Sequence, residues 1–209
     1  MIISHKFKCI FIRIPKTGST SIEAFLKEFD PHCISSDDNS PPYGHFYASQ
    51  LKKMVESEIW NTYFKFTIIR EPLDWFKSLY KDNMDFSHKK NEKIHILLND
   101  DYMLEKPFEN ILSVDQALKL YILQGNWFNG NNQMIFLDED LDFIGKFEDF
   151  NKIIEYLKNK FNIKSDKNYH YNKSNLLNLS FSEDCEKILK ILYKNDIAFY
   201  NNLTNLLYK

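Results

Sequence analysis

The sequence predicts a three-layer α/β fold in which a mainly parallel central sheet of about four or five strands is flanked by helices. Three observations carry that reading. Residues 7–14 (FKCIFIRI) and 63–69 (YFKFTII) are short runs rich in β-branched and aromatic side chains, bounded by polar residues or proline, as buried strands are. Apolar residues at helical spacing follow each run. Strands that alternate with helices along a chain pair in parallel, because the helix is the crossover that returns the chain to the same edge of the sheet.

In chain order, the first strand at 7–14 gives way at Pro15, and Ser19 or Thr20 is placed to cap a helix through Ile22, Phe25 and Leu26. A second helix is expected at about 46–57. The strand at 63–69 leads into a third helix at about 73–83, with Pro72 in its first turn, where a missing N–H costs nothing. Residues 84–110, rich in Asn, Asp and Lys, interrupt the rhythm; they read as a solvated insertion or as a lid over a substrate. Ser113 opens a further helix to Leu123, closed by Gly125. Strands are expected at 133–137 (QMIFL) and 142–145 (DFIG), separated by the acidic turn Asp138, Glu139, Asp140. Helices at 149–161 and 182–204 complete the chain. No internal repeat interrupts this order, and residues 1–209 read as one domain.

Composition narrows the function classes. A chain of 209 residues with 44% hydrophobic and 16% aromatic content can bury a full core. Its net charge of -2 supplies no cationic field for nucleic acid or an anionic membrane, so any anion site must be built locally. Cys9, Cys33 and Cys185 are few and scattered, which fits a reducing compartment. No apolar run approaches the roughly 20 residues of a membrane span. A cytoplasmic protein is expected, with no nucleic-acid partner and no integral membrane segment.

Two local motifs suggest such an anion site. Pro15, Lys16, Thr17, Gly18, Ser19, Thr20 and Ser21 occupy the first strand-to-helix turn, where unpaired N–H groups and the helix dipole favour negative charge. Gly18 lets backbone approach an anion, the hydroxyls add donors and Lys16 adds a full charge, which together describe a 5′-phosphate site. The bland alternative is a helix cap with an incidental lysine. The NTPase loop G-x-x-x-x-G-K-[ST] is absent, because here the lysine precedes the glycine. The second motif follows the strand at 63–69: Arg70 ends it, and Ser78 stands eight residues further, about two turns into the next helix. Arg70 is one of only two arginines in a lysine-rich chain, and its planar fork matches phosphate oxygens. Pairing with Glu71 or Asp74 is the alternative role.

The two motifs in this order resemble those of sulfotransferases that use 3′-phosphoadenosine-5′-phosphosulfate (PAPS). Further stretches are similar to the branch of carbohydrate and uronyl 2-O-sulfotransferases and their bacterial relatives: YGHFYASQL (43–51), NNQMIFL (131–137), FIGKFEDFNKIIEYL (143–157) and HYNKS (170–174). The resemblance implies a P-loop-like fold, PAPS as cofactor with adenosine 3′,5′-bisphosphate as product, no metal, and a small-molecule or polysaccharide acceptor. It implies that the Lys16 loop grips the 5′-phosphosulfate, that Arg70 and Ser78 grip the 3′-phosphate, and that Lys173 and Ser174 belong to a late loop closing over the nucleotide. Two positions depart: Tyr43-Gly44-His45 stands where uronyl enzymes carry His-Gly-His, and Trp75 stands where many relatives carry arginine.

Sulfuryl transfer requires charge stabilisation on the leaving oxygen and a base for the acceptor's proton. Lys16 suits the first role, worth roughly 3 kcal/mol if it acts as an oxyanion-hole donor does. His45, just before a helix and with an ordinary pKa near ~6.5, suits the second, against the alternative of a packing or capping histidine. His5, His32, His88 and His95 lack partners at metal-ligand spacing, and the acidic clusters lie in turns. Trp60, Trp75, Trp127 and Phe147 read as core, with stacking on adenine open to one of them. A P-loop-type small-molecule kinase and a non-catalytic nucleotide-binding module are the rival readings.

Overall fold

The structure is a computed structural model, described here for residues 1–36, 44–79, 97–98, 102–103, 132–167, 169 and 182–203. The chain forms two compact units, each discontinuous in sequence: one comprises Met1–Glu71, Gln133–Lys173 and Asn195–Lys209, the other Pro72–Asn132 and Ser174–Lys194.

The first unit is built on a five-stranded sheet. Its strands are β1 (Ile2–Ser4), β2 (Cys9–Ile12), β3 (Ile34–Ser35), β4 (Phe64–Ile69) and, after a two-stranded ladder in the other unit, β7 (Phe143–Lys146), in the spatial order β3-β1-β2-β4-β7. The pairs β2/β4 and β4/β7 are parallel, as expected, whereas β1 is antiparallel to both β2 and β3. The sheet is therefore mixed, which corrects the expectation of a mainly parallel one. The physical reason is local: β1 reaches β2 through a tight turn at residues 5–8, in which Lys8 takes a left-handed φ of 47°, and a turn that short can only join antiparallel strands.

Register aligns the core. Phe11, Phe66 and Phe143 are direct partners across the three parallel strands, so their rings share one face and are fully buried. Phe11 and Phe66 lie 5.0 Å apart, and Tyr156 stacks on Phe143 at 4.7 Å. Against this face packs α1 (Ser19–Phe29), through Ile22, Phe25 and Leu26. The helix Phe150–Lys160 (α5) does the same through Phe150, Ile153, Ile154 and Leu157, the i, i+3, i+4, i+7 stripe its sequence predicts. Gly145 on β7 permits that approach, since a Cβ there would stand 2.4 Å from Ile153 Cδ1.

Other elements depart from expectation in detail. The helix expected at 46–57 is two: α2 (Ala48–Met54) ends where Val55 turns extended, and α3 (Ser57–Thr62) starts after Glu56. Residues Gln133–Phe136 form a 3₁₀ turn rather than a strand, because Gln133 is tied by hydrogen bonds outside any ladder. The helix expected at 182–204 breaks at Tyr193 into α6 (Glu183–Leu192) and α7 (Lys194–Asn202).

The second unit contains the helix at 72–79 (α4), which Pro72 opens, the antiparallel ladder of β5 (Leu97–Leu98) and β6 (Tyr102–Met103), and α6. Trp75 and Phe76 are buried there, and the Trp75 ring meets Tyr193 edge-on at 6.1 Å. The helix expected at 113–123 lies outside the described residues, as do Trp127, His88, His95, His170 and most of 84–110. Among the described residues no helix is long and apolar enough to cross a membrane.

Candidate functional site

Because β2 and β4 run in parallel, both chains leave the sheet at the same edge. Ile12 pairs with Thr67, so the turn that starts at Pro15 and the residue Arg70 emerge side by side. The Thr67 hydroxyl reinforces this register by donating to the Ile12 carbonyl at 2.8 Å.

The turn after β2 is held in a conformation suited to an anion. Lys16 and Gly18 both take left-handed backbone, with φ of 63° and 88°. A non-glycine residue at positive φ is uncommon and persists where the surroundings over-determine it, often at ligand sites. The Thr17 hydroxyl donates to the Ile14 carbonyl at 2.9 Å, so its proton braces the turn and its N–H is what it offers a ligand. Helix α1 begins at Ser19, with Gly18 as its N-cap and no side chain capping it, which corrects the expected cap by Ser19 or Thr20. No acidic residue stands in its first turn to compete with a bound anion. Ser19 and Ser21 are buried, Thr20 is exposed, and Pro15 and Lys16 are half-buried.

Gly18 also fixes where this turn lies. A Cβ on it would stand 2.9 Å from Phe150 Cε2 and 3.1 Å from Phe147 Cε2. Phe147 in turn lies under Arg70, whose Cζ is 4.8 Å from the ring centroid. One aromatic ring thus links the lysine-bearing turn to the arginine. Stacking of this kind orients a guanidinium while leaving its edge N–H groups for oxygen acceptors.

The backbone of Arg70 is clamped. Its N–H donates to Gln133 Oε1 at 2.8 Å, and its carbonyl accepts from Gln133 Nε2 at 2.7 Å. Gln133 is itself held through its N–H, which donates to Asp196 Oδ1 at 2.7 Å. Burial pushes the Asp196 carboxyl up to about 6, against the pull of the Gln133 and Met134 N–H groups. The next peptide is fixed as well: Glu71 N–H donates to Glu148 Oε1 at 3.0 Å, and Glu148 Oε2 accepts from the Tyr200 hydroxyl at 2.7 Å.

His45 lies beside the same edge. Its Nδ1 is 3.0 Å from the carbonyl oxygen of Arg13, which precedes the turn. A carbonyl can only accept, so Nδ1 carries the proton and Nε2 is the basic nitrogen. The following helix is secured by Asp138, whose Oδ1 accepts the Ser49 N–H at 2.9 Å, giving structural work to an acidic turn that reads from sequence as merely solvated. Arg13 approaches Glu23 at 3.6 Å. Burial alone would raise the Glu23 carboxyl, but hydrogen bonds from Lys27 and Ser35 and the Arg13 charge hold it below the usual range.

Ser78 belongs to the second unit, buried on α4. Lys173 and Ser174 lie outside the described residues, as does Tyr43. Trp60 and Trp75 are buried core residues. Gln133 and Asp196 are the members of the site that residue-by-residue reading assigns no role; only the stretch NNQMIFL marks Gln133, and a strand is what its apolar residues suggest, while Phe147, expected in the core or on adenine, instead stacks under Arg70. Among the described residues no group of three or more His, Cys, Asp or Glu side chains could hold a metal ion.

A turn of a geometry suited to an anion at one strand end, an oriented arginine at the next and a histidine of defined tautomer beside them are parts that a group-transfer site can use. No curated protein and no solved structure matches the chain. The model of the sulfotransferase family matches residues 1–118, more than half of the chain and a span that includes Lys16, His45, Arg70 and Ser78. The chain belongs to the sulfotransferase family.

Proposed function

We propose that this protein transfers a sulfuryl group from PAPS to an acceptor hydroxyl on a carbohydrate. The observation that carries the reading is the shared contact of Gly18 and Arg70 with Phe147, which sets two anion-binding groups at one sheet edge, as a nucleotide phosphorylated at both ends demands. The residues fit such a ligand: Lys16 and Gly18 take left-handed backbone just before α1, and no acidic residue stands in the first turn of that helix.

PAPS, when bound, supplies the activated sulfuryl group and a phosphate as its leaving group. The N–H groups of the turn from Pro15 to Ser21 hold the 5′ end, and the Lys16 ammonium neutralises charge that develops on the departing oxygen. Arg70 binds the 3′-phosphate, and the resemblance names Ser78 as its partner in that role. His45 Nε2 takes the proton from the acceptor hydroxyl as the new oxygen–sulfur bond forms. The resemblance adds Lys173 and Ser174, outside the described residues, as further nucleotide ligands. The carbohydrate acceptor rests on the likeness of YGHFYASQL, NNQMIFL, FIGKFEDFNKIIEYL and HYNKS to the carbohydrate and uronyl 2-O branch, from which Tyr43 departs, and the cytoplasmic assignment on the few, scattered cysteines.

Thermal shift tests the cofactor. Adenosine 3′,5′-bisphosphate at ~100 times its dissociation constant stabilises the protein by about 2.7 kcal/mol, and ATP with magnesium at the same concentration does much less. A preference for ATP with magnesium overturns the assignment in favour of a kinase.

A further inference from the structure

Arg70 stands one residue beyond the last ladder pair of β4, Ile69 with Lys146, where a chain leaving a sheet must find new partners for its N–H and C=O. Gln133 supplies both from one primary amide, 2.8 Å from the N–H and 2.7 Å from the carbonyl. Among side chains in their usual protonation states only Asn and Gln carry an acceptor and a donor side by side in a plane, so the residue type is matched to the task. Gln133 is 3% exposed, and its own N–H is held by Asp196, also 3% exposed.

Asp196 is a costly residue to keep. Its Oδ2 is buried with no hydrogen-bond partner among the described residues, and a carboxylate in that setting opposes folding. Retaining it makes sense where position is worth more than stability. The same helix, α7, also contributes Tyr200, which braces Glu148 under the Glu71 N–H. Two consecutive peptides, at Arg70 and Glu71, are thereby anchored to α7 through side chains.

We propose that Gln133 and Asp196 are positioning residues that fix the Arg70 peptide and so aim its guanidinium at the 3′-phosphate of the nucleotide. With the peptide clamped at one end and the guanidinium stacked on Phe147 at the other, Arg70 loses its conformational freedom on folding rather than on binding. Selectivity for a 3′-phosphorylated nucleotide depends on this pair as well as on Arg70.

The proposal rests on Arg70 as the 3′-phosphate anchor, and calorimetry separates the two ideas. The quantity read is the ratio of dissociation constants for adenosine 5′-phosphate and adenosine 3′,5′-bisphosphate. Wild type favours the bisphosphate. In Gln133→Met, which keeps side-chain length without the amide, the ratio falls about tenfold while adenosine 5′-phosphate binds within about twofold of wild type. Asp196→Ala shifts the ratio in the same direction. Gln133→Glu has a low ratio while its carboxylate is ionised and cannot donate to the Arg70 carbonyl. It regains the ratio, relative to wild type at the same pH, when protonation restores the donor.

A folded Gln133→Met protein with the wild-type ratio overturns the proposal, as does an equal weakening of both nucleotides. If Gln133→Met does not fold, Gln133→Glu decides, and a ratio insensitive to its protonation overturns the proposal. A wild-type ratio near one removes Arg70 from the 3′-phosphate and the positioning pair with it.

Discussion

Gly18 and Arg70 share one aromatic neighbour: a Cβ on Gly18 would stand 3.1 Å from Phe147 Cε2, and the Arg70 Cζ lies 4.8 Å from the centroid of that ring. The side chain that both approach is therefore apolar, and its ring sets how near the turn stands to the arginine. Substituting Gly18 by alanine adds a methyl group against Phe150 and Phe147 at a backbone φ of 88°. Gly18→Ala is expected to lose about 1–3 kcal/mol in chemical denaturation and to weaken nucleotide binding. An alanine variant as stable as wild type contradicts the geometry of the turn.

Lys16 is half-buried and held at a φ of 63°. If its charge serves the departing oxygen more than the bound nucleotide, Lys16→Met lowers kcat by about 10²–10³ and raises the dissociation constant of adenosine 3′,5′-bisphosphate by much less. Equal losses in both measurements assign the lysine to binding alone.

For His45, the bond from Nδ1–H to the Arg13 carbonyl leaves Nε2 as the nitrogen able to accept a proton. His45→Ala is expected to cut turnover by about 10²–10⁴ while bisphosphate binding stays within about twofold. Undiminished turnover with a carbohydrate acceptor removes His45 from the chemistry.

Asp196 gives the protein a titration in an unusual place. Its folded-state pKa, about 6, lies above the unfolded value of 3.8, so the folded state holds the proton more tightly. The cost of ionising it is absent below the unfolded value, grows as pH rises between the two values, and is complete above about 6. That cost is on the order of 3 kcal/mol. Denaturant midpoints between pH 4 and pH 6.5 should therefore fall less steeply with rising pH in Asp196→Asn than in wild type, the two curves differing most at the upper end. Parallel curves contradict the raised pKa.

The parallel heart of the sheet was legible because β2 is buried along its length and wholly apolar, and β4, rich in aromatic and β-branched residues, is buried from Phe66 to Ile69. Strands β1 and β3 were not: three and two residues are too few to show a period, and partners across the sheet decide their state. Within the site, Gly18 announces itself, since its backbone demand is local. Gln133 and Asp196 do not. Each is fixed by a residue 63 positions away, so the apolar run after Gln133 reads as a strand, and Asp196 reads as one more charge on an amphipathic helix.

The most direct test is calorimetric comparison of three nucleotides on the unmodified protein: adenosine 3′,5′-bisphosphate, adenosine 5′-phosphate and adenosine 3′-phosphate. A single nucleotide gripped at both ends requires each monophosphate to bind at least about tenfold more weakly than the bisphosphate, as loss of a charge-assisted contact at either end dictates. A monophosphate that binds as tightly as the bisphosphate contradicts it, because one of the two clusters, the Lys16 turn or Arg70, then has no phosphate to hold.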